Sequence, residues 1–396
     1  MTTPEPNHPE IDFATDAVPN LHELLAGLRS KSAVAPVRYH GGVAYLITRY
    51  DELKAAMTDD DTFPSAAAYL RHSGPVMGKT IQCMAGAEHR RNRALVSAAF
   101  RPRLMKEFVE AFLTPVAHQL VDALIEGAEP GRADLVRDYT VRYAFTVITR
   151  LLDFPPTDFE QLKRWGDGLI DFPWNPQFAE QASREFTAYL KPIIDERRRS
   201  PGEDLISSLC TTEIDGESLD DEEIYSFIRL LFPAGADTTY RGLGSMFYAV
   251  LQHPEVWQAV KADPALIPAV VQEALRWEGP TALLPRFAPK DVSFAGCEIP
   301  GGSEVIFGIT SANRDERVFA DPDRFDPWRK ERESLSFGHG LHFCLGSHLA
   351  RREMEVSLRV LSERLPDLSL AREAQVGIEG TVLRGPTALP VQLDHD

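Results

Sequence analysis

Cysteine is scarce in this chain. Four residues of 396, Cys83, Cys210, Cys297 and Cys344, are scattered without a C-x-x-C pair. Such spacing gives no disulfide framework and fits a reducing compartment. Long apolar runs are also missing. No stretch reaches the roughly 18 residues needed to cross a bilayer, and the start of the chain lacks a basic region followed by an apolar one. A cytoplasmic protein without a membrane anchor is therefore expected. Positive charge is in deficit: the formal net charge of −17 argues against general nucleic-acid binding. Repeats and low-complexity tracts are absent too. What the chain does have is bulk, with 43% hydrophobic residues and enough length to bury a large core.

Residues 1–20, acidic and rich in proline, read as a loosely held N-terminal arm. Residues 21–396 read as a single domain. Residues 38–47 suggest a hairpin around Gly41 and Gly42, and residues 291–309 suggest short strands broken by Ala295-Gly296 and by Pro300-Gly301-Gly302. Most of the remainder has helical period. Leu266, Ile267, Val270, Val271, Ala274 and Leu275 form an apolar stripe that ends near Gly279-Pro280. Another helix is capped by Asp220, with Glu223 in the capping-box position and Ile224, Phe227, Ile228 and Leu231 on one face. Continued to about Val250, it would be roughly 45 Å long. The expected fold class is mainly α with small β-sheets, which excludes a doubly wound or barrel design.

The chemistry concentrates in residues 337–346, F-G-H-G-L-H-F-C-L-G. A cysteine in a glycine-rich turn that opens a helix is held as a thiolate by nearby backbone N–H groups and the positive helix end. Gly338, Gly340 and Gly346 let the backbone approach a flat cofactor. Taken alone, Cys344 would read as a small apolar core residue. A zinc site from His339, His342, Cys344 and His348 is a second alternative, but it lacks paired-ligand spacing and leaves Phe337 and the glycines unexplained. A dinucleotide loop is weaker, because Phe343 stands where G-x-G-x-x-G needs its third glycine.

The pattern F-x-x-G-x-x-x-C-x-G resembles the heme-binding signature of the cytochrome P450 superfamily, soluble bacterial type. Residues 234–239, A-G-A-D-T-T, are similar to the family's oxygen-side motif A-G-x-D-T-T. The resemblance extends over nearly the whole chain and implies the cytochrome P450 fold. It also implies a monooxygenase carrying heme b (iron protoporphyrin IX) with Cys344 as axial thiolate and metal ligand, Phe337 and Gly346 beside it. Ala234 and Gly235 would leave room at the oxygen face, Thr238 would act there through its hydroxyl, and Asp237 would relay protons from solvent. An acid and an alcohol side by side deliver protons without flooding the site. Pro233 departs from the family pattern by removing the N–H that would bond to the Arg229 carbonyl.

His89 and Arg93, four apart on a helix, match the family's H-x-x-x-R. With Arg286 and His342 they would supply donors to the two heme propionates, which need cationic partners once removed from water. Glu273 and Arg276, three apart, match E-x-x-R, and Arg329 would complete a buried ion network that braces the cysteine loop. By position, the substrate wall would draw on residues 66–84, Phe172-Pro173-Trp174, Phe232, Leu283, Val382 and Leu383. These are mostly apolar, so the resemblance implies hydroxylation of an apolar small molecule with dioxygen. Two electrons would come from a ferredoxin or flavodoxin-like donor with its reductase. Arg90, Arg91, Arg93, Arg101, Arg103 and Lys106, with Arg351 and Arg352, would form a basic patch that steers this acidic donor. A peroxygenase or a gas-sensing heme protein of the same fold would have less use for the Asp237-Thr238 pair.

Overall fold

The computed structural model describes residues 5–100, 106, 108–128, 131–330, 334–372 and 375–393. The chain forms two compact units, neither of them continuous in sequence. One comprises Met1–Pro64, Ala117–Thr140 and Thr238–Asp396, and the other Ser65–Val116 and Val141–Asp237. Both are dominated by helices, and the larger sheet belongs to the first.

That sheet has five strands, in the order Asn7–Asp12, Val34–Tyr39, Gly42–Ile47, Ser303–Gly308 and Leu283–Ala288. His40 and Gly41 both have positive φ, 48° and 76°, the two-residue turn that suits the twist of a hairpin. Ala295 and Gly296 repeat the device between Val292–Phe294 and Cys297–Ile299. The expected N-terminal arm is corrected by the first strand: Asn7–Asp12 pairs in parallel with Val34–Tyr39, and Phe13, Ala14 and Val18 are buried. Asp12 fastens the segment to the hairpin, accepting from the backbone N–H of His40 at 2.9 Å and of Gly41 at 2.6 Å. Polar composition concealed a short apolar anchor.

Helix Asp221–Gln252 runs for 32 residues, about 48 Å at the usual rise. Its capping box is formed in both directions, Glu223 N–H to Asp220 Oδ1 at 2.8 Å and Asp220 N–H to Glu223 Oε2 at 3.0 Å. The helix continues through Pro233. Helix Ile267–Glu278 buries the predicted stripe at Ile267, Val270, Val271, Ala274 and Leu275.

Helix Ser347–Arg364 carries an ionisable group into the core. Glu353 is buried, and among the described residues its Oε2 has no hydrogen-bond partner. Burial pushes the pKa of this carboxyl well above the ordinary range, favouring its protonated form. Nearby, the Tyr139 hydroxyl donates to Ser357 Oγ at 3.0 Å. A raised carboxyl pKa contributes stability below the unfolded value of 4.5 that is lost as pH climbs above it. Glu353→Gln removes that dependence, so its stability relative to the native chain should improve as pH rises above about 5 in urea unfolding. A constant difference would mean that the carboxyl ionises normally.

Candidate functional site

Gly338 and Gly340 both adopt φ of 74°, and a side chain on Gly340 would come within 2.9 Å of the Met57 carbonyl oxygen. Those two turns fold residues 337–346 back on themselves. The Cys344 N–H donates to the Phe337 carbonyl at 2.9 Å, closing the loop. Gly346 caps the 18-residue helix that follows. Upstream, the Leu335 N–H donates to Asn313 Oδ1 at 2.7 Å and Ser336 Oγ donates to the Leu275 carbonyl at 2.6 Å. The cysteine loop is thus tied to helix Ile267–Glu278.

Cys344 is exposed, whereas burial raises the pKa of the thiols of Cys83, Cys210 and Cys297, Cys210 to about 11. Beside Cys344 stand Leu341 and Phe343, 50% and 39% exposed, two of the few large apolar side chains not withdrawn into the core. A thiol flanked by apolar side chains and glycine turns fits a flat, greasy, iron-bearing macrocycle. Among the described residues no three His, Cys, Asp or Glu side chains group to hold a metal, so the neighbouring histidines do not complete a zinc site.

Helix Asp221–Gln252 carries the other motif. Ala234 is exposed and Gly235 and Thr238 are half-buried, on a helix whose Phe232, Ala236, Asp237 and Thr239 are buried. Small residues on one stripe keep that face low. A side chain on Gly235 would meet Ile148 at 2.9 Å.

Of the expected anion-binding donors, Arg286 lies buried on strand Leu283–Ala288, its guanidinium 4.8 Å over the Phe307 ring. His342 Nε2 is 3.0 Å from Asp60 Oδ1, a partner that sequence spacing could not reveal. His89 and Arg93 share helix Gly86–Ala99, His89 buried and Arg93 half-buried. Glu273, Arg276 and Arg329 come together. Arg276 grips Glu273 with two bonds of 2.7 Å, and Arg329 Nε approaches Glu273 Oε1 at 3.4 Å. Arg276 also donates to the carbonyls of Asn313 and Pro322, both at 2.9 Å.

Two expected substrate contacts are corrected. Phe232 is fully buried among Phe145, Phe154 and Phe186, with ring centroids 5.0–5.9 Å away, and lines no surface. Leu283 is buried in the cluster that includes Leu46, Ala282 and Ile306. Val382 and Leu383 are half-buried. The basic patch is also altered. Arg91 is clasped by Glu217 and Glu223, Arg352 pairs with Glu355 at 2.5 Å, and Arg351 lies 4.6 Å over the Phe337 ring. Arg90 and Lys106 are exposed; Arg101 and Arg103 lie outside the described residues.

The sequence model of the family described as cytochrome P450 matches residues 159–364. The chain is 34% identical over 392 residues to cytochrome P450 monooxygenase PikC of Streptomyces venezuelae, covering 96% of this chain and 92% of that one. To erythromycin C-12 hydroxylase of Saccharopolyspora erythraea it is 37% identical over 364 residues, 89% of each. The solved structure of cytochrome P450 CYP109Q5 from Chondromyces apiculatus matches with a TM-score of 0.88 and 35% identity, over 98% of both chains. No helix among the described residues is long and apolar enough to cross a membrane. With this thiol loop, this fold and these relatives, the chain belongs to the cytochrome P450 family and is a heme-thiolate monooxygenase that uses dioxygen and electrons from a redox partner to hydroxylate a small molecule.

Proposed function

We propose that Cys344 supplies the axial thiolate and that the substrate is an apolar or weakly polar small molecule, with electrons delivered by a ferredoxin or flavodoxin-like protein and its reductase. The exposed thiol of Cys344, whose backbone N–H is bonded to the Phe337 carbonyl in front of an 18-residue helix, carries this reading. Heme iron, when bound, supplies oxygen activation, and a thiolate ligand favours O–O cleavage by pushing electron density toward the iron. The chain's own part is to hold that sulfur, admit oxygen and meter protons. The positive end of helix Ser347–Arg364, three residues past Cys344, would favour an anionic sulfur there. Arg286, His342, His89 and Arg93 would hold the propionates, and Glu273, Arg276 and Arg329 brace the thiol loop from behind.

On the oxygen face the exposed Ala234 would leave space, while the lack of a side chain at Gly235 lets Ile148 pack close. Thr238 Oγ1 would donate a hydrogen bond there, and the neighbouring buried Asp237 carboxyl would return a proton to it. The half-buried pair Val382 and Leu383 supports an apolar substrate, and relatives that include an erythromycin C-12 hydroxylase support a bulky natural product as the first class to screen. The free thiols of Cys83, Cys210 and Cys297 support a reducing, cytoplasmic setting.

Reduced protein treated with carbon monoxide should show the strongly red-shifted Soret band of a thiolate ligand. Cys344→Ser should abolish that band while leaving the fold intact by circular dichroism; its survival would remove Cys344 from the role. Thr238→Ala should lower product formed per NADH consumed by about tenfold or more, with heme content unchanged. Arg90→Glu should slow reduction by an acidic ferredoxin about threefold or more and flatten its salt dependence, measured by stopped flow.

A further inference from the structure

The segment between Gly380 and Gly385 reverses the usual order of a surface turn. Its polar members Thr381 and Arg384 are buried, and its apolar members Val382 and Leu383 are the ones left half-buried. Turns on a solvated surface put polar side chains outward, so this one presents an apolar face to something other than water. Its backbone leaves little choice of shape. Gly380 has φ of 97°, and a Cβ there would lie 1.9 Å from the Leu383 carbonyl oxygen. The Ala282 N–H donates to the Val382 carbonyl at 2.9 Å, and the Arg384 N–H donates to the Pro280 carbonyl at 2.8 Å. The turn therefore lies along residues 280–282, just past the end of helix Ile267–Glu278.

Arg384 closes the turn from inside. Its Nη1 donates to the Gly380 carbonyl at 3.0 Å and its Nε donates to Glu278 Oε1 at 2.7 Å. The other carboxylate oxygen of Glu278 accepts from His22 Nε2 at 2.6 Å, and Arg314 stands 3.7 Å away. Glu278 is thus gripped on both oxygens, which fixes its rotation and that of the guanidinium facing it. Burial pushes the Glu278 carboxyl up, but the His22 hydrogen bond and the Arg384 and Arg314 charges outweigh it and hold it at about 2, so it is an anion at neutral pH. Burial lowers the pKa of His22 against the opposing pull of Glu278.

We propose that Glu278 is a positioning residue for substrate selection: acting through Arg384, and itself aligned by His22, it fixes where Val382 and Leu383 stand against the substrate. This rests on the reading of Val382 and Leu383 as part of the substrate wall. A planar two-point fork is needed. A lysine at 384 could satisfy the Glu278 charge but not both Glu278 and Gly380 in one plane, so the turn would shift although the charge remained. Displacing a wall by a fraction of an ångström affects long ligands that lean on it and spares short ones that touch only the iron.

Optical titration of the ferric holoenzyme with imidazole and with 1-dodecylimidazole separates these effects. In Glu278→Gln and Arg384→Lys the dissociation constant for 1-dodecylimidazole should rise by about tenfold, while that for imidazole stays within about twofold and the carbon monoxide band is kept. Leu383→Ala reports separately on whether the turn touches the ligand. If Leu383→Ala weakens the long ligand but Arg384→Lys does not, the positioning inference fails and the wall reading stands. If neither substitution moves it, the wall reading fails and takes the inference with it. Equal weakening of both imidazoles would mark Glu278 and Arg384 as general structural residues and also overturn the proposal. Should Glu278→Gln not fold, Arg384→Lys decides alone.

Discussion

The contact between Glu273 and Arg276 sets the terms for the thiol site. Both side chains are buried, so two charges have been taken out of water, a cost of several kcal/mol per ion that only good geometry offsets. Here the geometry is two parallel bonds, and every remaining donor direction of the guanidinium finds a main-chain carbonyl, at Asn313, Pro322 and Arg324. The Asp326 N–H completes the shell by donating to Glu273 at 2.9 Å. One ion pair thereby fixes two stretches of irregular backbone, at Asn313 and over residues 322–326. The cysteine loop is attached to the same helix through Ser336 and Leu275, so its placement inherits that rigidity.

Rigidity around the cysteine loop contrasts with economy on the long helix Asp221–Gln252. This helix is light around its middle, where Ala234 is exposed and Gly235 and Thr238 are half-buried. Packing elsewhere on the same helix is dense, as the ring cluster around Phe232 shows. A helix can be thin at one stripe and heavily buttressed on the others because residues three and four apart share a face while their neighbours do not.

Local patterns made much of this legible in the sequence. Asp220 with Glu223 and the glycines around Cys344 act over a few residues, so their spacing encodes their geometry, whereas Glu273 with Arg276 stands out from other pairs three apart only through its resemblance to the family's E-x-x-R. Longer-range facts were not legible. Phe232 and Leu283 are apolar in either role, and only tertiary packing assigns them to the core and not to a ligand wall. Arg91 reads as a surface cation until a hairpin more than a hundred residues away supplies Glu217. Glu278 is one more acid near a helix end; His22, 256 positions earlier, and Arg384, 106 later, give it meaning. Asp60 beside His342 is hidden for the same reason.

The strand Asn7–Asp12 has a practical corollary. Because it covers one side of Val34–Tyr39, residues 7–12 are architecture, not a leash for fusion partners. Trimming beyond that point would bare a row of backbone donors and acceptors able to recruit a strand from another molecule. Any affinity handle should be added upstream of Asn7, where the hydrogen-bond ladder begins.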